Sequence, residues 1–211
     1  MTKRFYVAVL ISCFCALACS GQDEKKPEPT PPSEYATLLT RVQGGDLSID
    51  FQRLRFSYME SPERKQAKDT SDQEKQMWKA LNTDDYKEAI KGADAVLAGK
   101  FVDMNAHFVE SHAYTGLHDT NKAEYHRAVF KGLLDSILHS GDGKSTKTAY
   151  VVIAVDEEYV VLNVLGLRPG SQALLGDGGH HYDRLDATNP KTNETVSLYF
   201  NVDIPIKHEL N

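Results

Sequence analysis

The sequence predicts an α+β fold in which antiparallel helical hairpins pack on an antiparallel β-sheet of about four strands. Three observations predict it. Between positions 34 and 140, apolar residues recur every three or four positions, the period of amphipathic helices. From 148 to 203, β-branched and aromatic runs are separated by turn residues, the pattern of strands. Gly141-Asp142-Gly143 separates the two regimes.

Positions 1–18 stand outside the fold. Lys3 and Arg4 precede a largely apolar run from Phe5 to Ala18, shorter than the roughly 20 residues a membrane-spanning helix needs and suited to a secretory signal. The run ends in Ala16-Leu17-Ala18-Cys19-Ser20, which resembles a bacterial lipobox with Cys19 as the lipidated residue. Ala16 stands where such boxes usually carry leucine, and Ala16 with Ala18 also makes an A-x-A site for ordinary cleavage. The expected address is therefore the cell envelope, as an outer-membrane lipoprotein facing the periplasm or surface. The alternative is a soluble secreted or periplasmic protein. Positions 19–33 hold Pro27, Pro29, Pro31 and Pro32 among polar residues and read as a disordered tether.

All three cysteines (Cys13, Cys15 and Cys19) lie within or beside the signal, so the rest has no thiol for a disulfide, a metal or nucleophilic catalysis. Removing Lys3 and Arg4 from 24 basic residues leaves 22 against 30 acidic ones, a formal charge of −8. That balance argues against nucleic acid as a partner and leaves the lipid anchor as the only route to a membrane. Positions 34–211 are long enough for a single α+β domain with its own core.

In that domain Tyr35, Leu38, Leu39 and Val42 form the face of a first short helix, stopped by Gly44-Gly45. Asp50 is placed to cap a second, whose face carries Phe51, Leu54, Arg55 and Tyr58. A charge on that stripe is unusual. Arg55 is expected to snorkel at the rim, with a buried ion pair to Asp46 or Asp50 as the alternative. Residues 60–71 read as a polar linker. Thr70 or Ser71 then opens a helix with Met77, Trp78 and Leu81 inward, and Asp84 or Asp85 opens one carrying Tyr86, Ala89, Ile90, Ala93, Val96 and Leu97. Asp103 caps the next, and Asn121 with Glu124 suggests a capping box for a broad-faced last helix.

Within this segment Asp85-Tyr86-Lys87-Glu88-Ala89 returns as Asp119-Thr120-Asn121-Lys122-Ala123, a spacing of 34 positions. The stretch resembles about one and a half tetratricopeptide repeats, which pair helices through small alanines. Beyond Gly143, residues 149–155 and 159–165 read as a hairpin turned by Asp156-Glu157-Glu158. After a long glycine-rich loop, residues 181–187 and 195–202 read as a second pair.

Gly45-Asp46-Leu47-Ser48-Ile49-Asp50-Phe51 with Leu54-Arg55 and Tyr58 resembles a bacterial family known as domain of unknown function 4919. Glu157-Glu158-Tyr159, Tyr182-Asp183 and Leu198-Tyr199-Phe200-Asn201-Val202 share the resemblance, which spans about Tyr35 to Asp203. It implies an exported protein and brings no activity with it.

The polar cluster closest to a chemical site is Asp177, His180, His181 and Asp183. Adjacent histidines in a strand point to opposite faces, so a metal would need His181 with Asp183 and Asp177. That arrangement defines the enzymatic alternative, a metal-dependent hydrolase or metal-binding protein centred on the 177–183 loop. His107, His112, His118 and His126 lack the i, i+4 spacing of a helical metal site and read as surface or interhelix hydrogen-bonding groups. No nucleophile elbow, P-loop or dinucleotide fingerprint occurs. The leading expectation is thus a non-catalytic binding or scaffolding module without cofactor or metal, its helical pairs offering a groove to a protein or peptide partner.

Overall fold

The structure, a computed structural model, describes residues 31–209; the signal, Cys19 and most of the tether lie outside the described residues. It is an α+β fold with helices first and strands after. Helix α1 (Glu34–Gln43) starts where Ser33 Oγ accepts from the Ala36 N–H, and it buries Tyr35, Leu38 and Val42. Helix α2 (Phe51–Glu60) is capped by Asp50, whose carboxylate accepts from the Arg53 N–H at 3.0 Å. The expected linker at 60–71 holds a further short helix, α3 (Pro62–Gln66), started by the Ser61 cap and a proline that arrives with its φ already helical.

Four helices then run in series: α4 (Ser71–Leu81), α5 (Tyr86–Gly99), α6 (Met104–Gly116) and α7 (Thr120–Leu138). Asp85, Asp103 and Asp119 cap the last three through their side chains. The cap of α7 is Asp119 and not the expected Asn121, so that helix begins earlier. The 34-position echo is visible in the turns. Asp84 and His118 both take left-handed φ values, 54° and 62°, and the N–H of the next residue bonds back to the helix before it, Asp85 to Ala80 and Asp119 to Tyr114. The small core of this array is Met77, Ala80, Ala89, Ala93, Val96, Ala106, Val109 and Ala113. Helices α4 and α5 come so close that a Cβ on Gly92 would sit 2.9 Å from Met77 Cβ.

The sheet contains β1 (Tyr150–Val151), β2 (Arg168–Asp177), β3 (His180–Thr188) and β4 (Thr195–Asn201), in the order β1-β4-β3-β2. Two expectations needed correction. The predicted first hairpin is a two-residue strand, parallel to β4, followed by helix α8 (Val155–Val164), so the sheet is mixed. Asp156, Glu157 and Glu158 occupy the first turn of α8, where carboxylates favour the positive end of the helix dipole. The predicted glycine-rich loop contains β2, ten residues paired antiparallel with β3 through a Gly178-Gly179 turn, both glycines at positive φ. A register shift between Pro169 and Gln172 accommodates the proline on this edge strand. Helix α9 (Asp203–Glu209) follows β4. Helices and sheet share one apolar core that includes Leu54, Leu133, Ile137, Val161, Leu162, Leu185 and Phe200.

Candidate functional site

Helix α8 lies where the helical array meets the sheet, and two different environments form on its sides. On one side it buries charge. Arg55, completely buried on α2, donates from Nε to Glu157 Oε1 at 2.9 Å and from Nη2 to Glu157 Oε2. The same guanidinium donates to Ser136 Oγ on α7 at 3.1 Å and to the Val151 carbonyl of β1 at 3.2 Å. Glu157 Oε2 also accepts the Ile153 N–H at 2.8 Å. One arginine thus ties four elements, and the bidentate geometry with its extra bonds offsets desolvation of both charges.

Glu158, the next residue, is 0 % exposed, and neither of its oxygens receives a bond from a donor among the described residues. It faces the buried carboxyl of Asp183 on β3, acid against acid, which favours the protonated form of Glu158. Burial first, then Asp183 and Glu157, pushes Glu158 from an ordinary 4.5 up to about 8. Gln172 of β2 closes the pair from outside. Its Nε2 donates to Asp183 at 2.6 Å, while its Oε1 accepts from the Tyr159 hydroxyl at 3.1 Å.

On another side α8 completes an apolar groove of about 470 Å³. Trp78, Phe108 and Phe130 come from three helices of the array, and Val160 and Val164 come from α8. The Trp78 and Phe108 rings lie 5.9 Å apart, and Phe108 and Phe130 lie 6.0 Å apart, typical of interacting aromatics. Val164 is 49 % exposed, so the groove is open to solvent at that end.

Between α6 and α7 a third polar feature is sealed inside. His107 is fully buried, its Nε2 donating to the Phe101 carbonyl at 2.8 Å. Its Nδ1 must then accept, so the contact of 3.0 Å to His126 Nδ1 is a bond donated by His126. His126 Nε2 meets Glu110 Oε2 at 2.7 Å. Burial, reinforced by His126, pulls His107 down to about 3, so it stays neutral. Burial raises Glu110 against the opposing bond from His126. Of the surface and interhelix roles the sequence leaves open, these two histidines take the interhelix one.

The residues singled out from the sequence fall in different places. Asp46 pairs with exposed Arg41 and Asp50 caps α2, so neither is the partner of Arg55, and Arg55 does not snorkel. The local carboxylates were closer in sequence, but α2 turns Arg55 inward toward α8. His180 and His181 both reach Asp203 of α9, through Nδ1 at 2.6 Å and 3.2 Å. Asp177 accepts from Thr146 Oγ1, and Asp183 is held by Gln172. The four side chains therefore serve three separate contacts. Among the described residues no three His, Cys, Asp or Glu side chains are arranged to hold a metal ion.

A family model described as "Domain of unknown function (DUF4919)" matches residues 30–211. The chain belongs to that family. No curated protein and no solved structure matches it. In this DUF4919 protein three of the motifs that carried the resemblance come together in a buried polar seam beneath α8, where Arg55 pairs with Glu157 and Glu158 faces Asp183. Sequence reasoning missed the seam because Arg55 and Glu157 are 102 positions apart. Three acids just before an apolar run were the available signal, since that is how a helix commonly opens. The groove is not legible in the sequence because Val160 and Val164 lie in a run that reads as a strand.

Proposed function

We propose that this protein is a lipid-anchored envelope protein, held at the outer membrane through Cys19, that acts as a non-catalytic binding or scaffolding module. Its groove would take an apolar peptide segment of a protein partner. The observation that carries this reading is the open aromatic groove of Trp78, Phe108 and Phe130, closed along one wall by Val160 and Val164 of α8. Helix-lined apolar grooves recognise peptides through apolar anchors at helical spacing. The rival, a metal-dependent hydrolase centred on the 177–183 loop, has less behind it, because Asp177, His181 and Asp183 each satisfy a different neighbour.

The test is affinity capture from detergent-solubilised envelope. A defined partner should be retained by the wild type and lost in Phe108→Glu and Phe130→Glu variants that keep their far-UV circular dichroism. Retention of that partner by both variants would overturn the groove reading. Turnover of a defined substrate, abolished by a single polar substitution such as Glu158→Gln, would favour an enzyme instead.

A further inference from the structure

Strand β2 ends the sheet on one side, and nearly all of its residues are exposed. The orientation of its backbone follows from β3. The His181 carbonyl accepts from the Val202 N–H and therefore faces away from β2. Gly176, opposite His181, must then turn its own N–H and C=O away from β3, and by alternation so do Leu174 and Gln172. No backbone bond to these outward groups occurs among the described residues. Proteins usually protect such an edge with lysine, proline or a bulge. Here the proline and the register shift lie at the start, Pro169 to Gln172, and the segment from Gln172 to Asp177 contains no lysine. Its exposed large apolar side chain is Leu174, 62 % exposed, and Tyr159, 39 % exposed, bonds to Gln172 on the same face.

We propose that two copies of this chain pair antiparallel through the free edge of β2, about a twofold axis at Ala173. The charges at the strand ends select a second copy as the occupant. With Ala173 opposite Ala173, Gln172 of each copy faces Leu174 of the other in a hydrogen-bonded pair. Across the register shift, β2 advances three positions while β3 retreats two, from Ala187 to Leu185. One extra residue on β2 brings Arg168 opposite Asp177 of the second copy, twice by symmetry. Arg168 has no ion-pair partner among the described residues, and Asp177 has one oxygen bonded to Thr146, the other open. The pairing also covers Leu174 of each copy with Gln172 and Tyr159 of the other.

The test uses the full chain in detergent, carrying Ala173→Cys. A non-hydrogen-bonded antiparallel pair sets its Cα atoms about 4.5 Å apart, within disulfide range. Mild oxidation should yield a disulfide dimer in Ala173→Cys and none in Lys191→Cys or in the unsubstituted chain. In the Ala173→Cys background, Arg168→Asp and Asp177→Arg should each lower the yield about tenfold, because two like-charge contacts replace two attractive ones. Mixing those two variants should restore it, since both contacts are then matched, and restoration also shows that each is folded. Absence of a dimer in Ala173→Cys would overturn the proposal. So would a yield unchanged by either charge reversal, or an edge occupied instead by a different protein recovered in the cross-link.

Discussion

Arg55 on α2 and Glu157 on α8 form a bidentate ion pair from which water is excluded, and Glu157 is the only carboxylate that bonds this guanidinium among the described residues. The pair closes the seam between the helical array and the sheet, with Ser136 and Val151 as further acceptors. Removing one partner strands a buried charge, whereas replacing both with apolar groups of similar volume removes the desolvation cost along with the attraction.

Arg55→Ala should therefore lower unfolding free energy by about 3–5 kcal/mol, and Glu157→Ala by a similar amount. The double replacement Arg55→Met with Glu157→Leu should cost clearly less than the sum of its single changes. Urea denaturation of the four proteins decides it, and a loss near 1 kcal/mol for Arg55→Ala would match an exposed pair instead.

Glu158 makes stability fall as pH rises. Its pKa is about 8 in the folded chain against an ordinary 4.5, so between those values the folded state holds a proton that the unfolded state has released. The contribution is fully present below pH 4.5 and is lost as pH climbs through 8, amounting to a few kcal/mol. Glu158→Gln keeps the shape without the proton. Denaturant midpoints at pH 5 and pH 8.5 should differ more in the wild type than in Glu158→Gln, by the part that Glu158 contributes.

The sealed histidine works in the opposite direction. His107 is held neutral, with a folded pKa of about 3 below its ordinary 6.5, so its contribution is complete above pH 6.5 and lost as pH falls toward 3. Its carbonyl partner requires the Nε2–H tautomer. Nitrogen-15 NMR of the imidazoles should show His107 as that tautomer, with no titration from pH 5 to pH 8. A His107 signal that protonates near pH 6.5 would show the cavity open to water.

Cys19, outside the described residues, is tested by fractionation. If it carries several acyl chains, each buried methylene adds about 0.8 kcal/mol to membrane attachment. Cys19→Ser should move the protein from the membrane to the soluble fraction and end incorporation of labelled palmitate. A wild type already soluble and unlabelled would mean that cleavage followed the Ala16-Leu17-Ala18 site.

The sequence made local features legible and left long-range ones hidden. Asp50 and Asp103 are readable as caps, and Asp85 as one of two candidates, because a cap is a contact within three residues. Strand β4 is readable from its alternating Val196, Leu198, Phe200 and Val202, and β3 as its partner across the turn residues between them. Helix α8 was not, because Val-Val-Leu-Asn-Val suits a buried strand as well as a buried helix, and only its packing decides. Strand β2 was hidden by Pro169, Gly170 and Gly176, residues tolerated there because the strand lies on an edge. The partner of Arg55 is hidden with α8, since Glu157 reads from the sequence as part of a hairpin turn.

The binding reading itself rests on the groove, and the chain's single tryptophan lines it. Trp78 emission measured while amphipathic peptides with apolar residues at helical spacing are titrated reports occupancy directly. The predicted result is a saturable blue shift in the wild type that disappears in Phe108→Glu. Emission that no peptide changes, or a shift of equal size in Phe108→Glu, would contradict a peptide-binding groove.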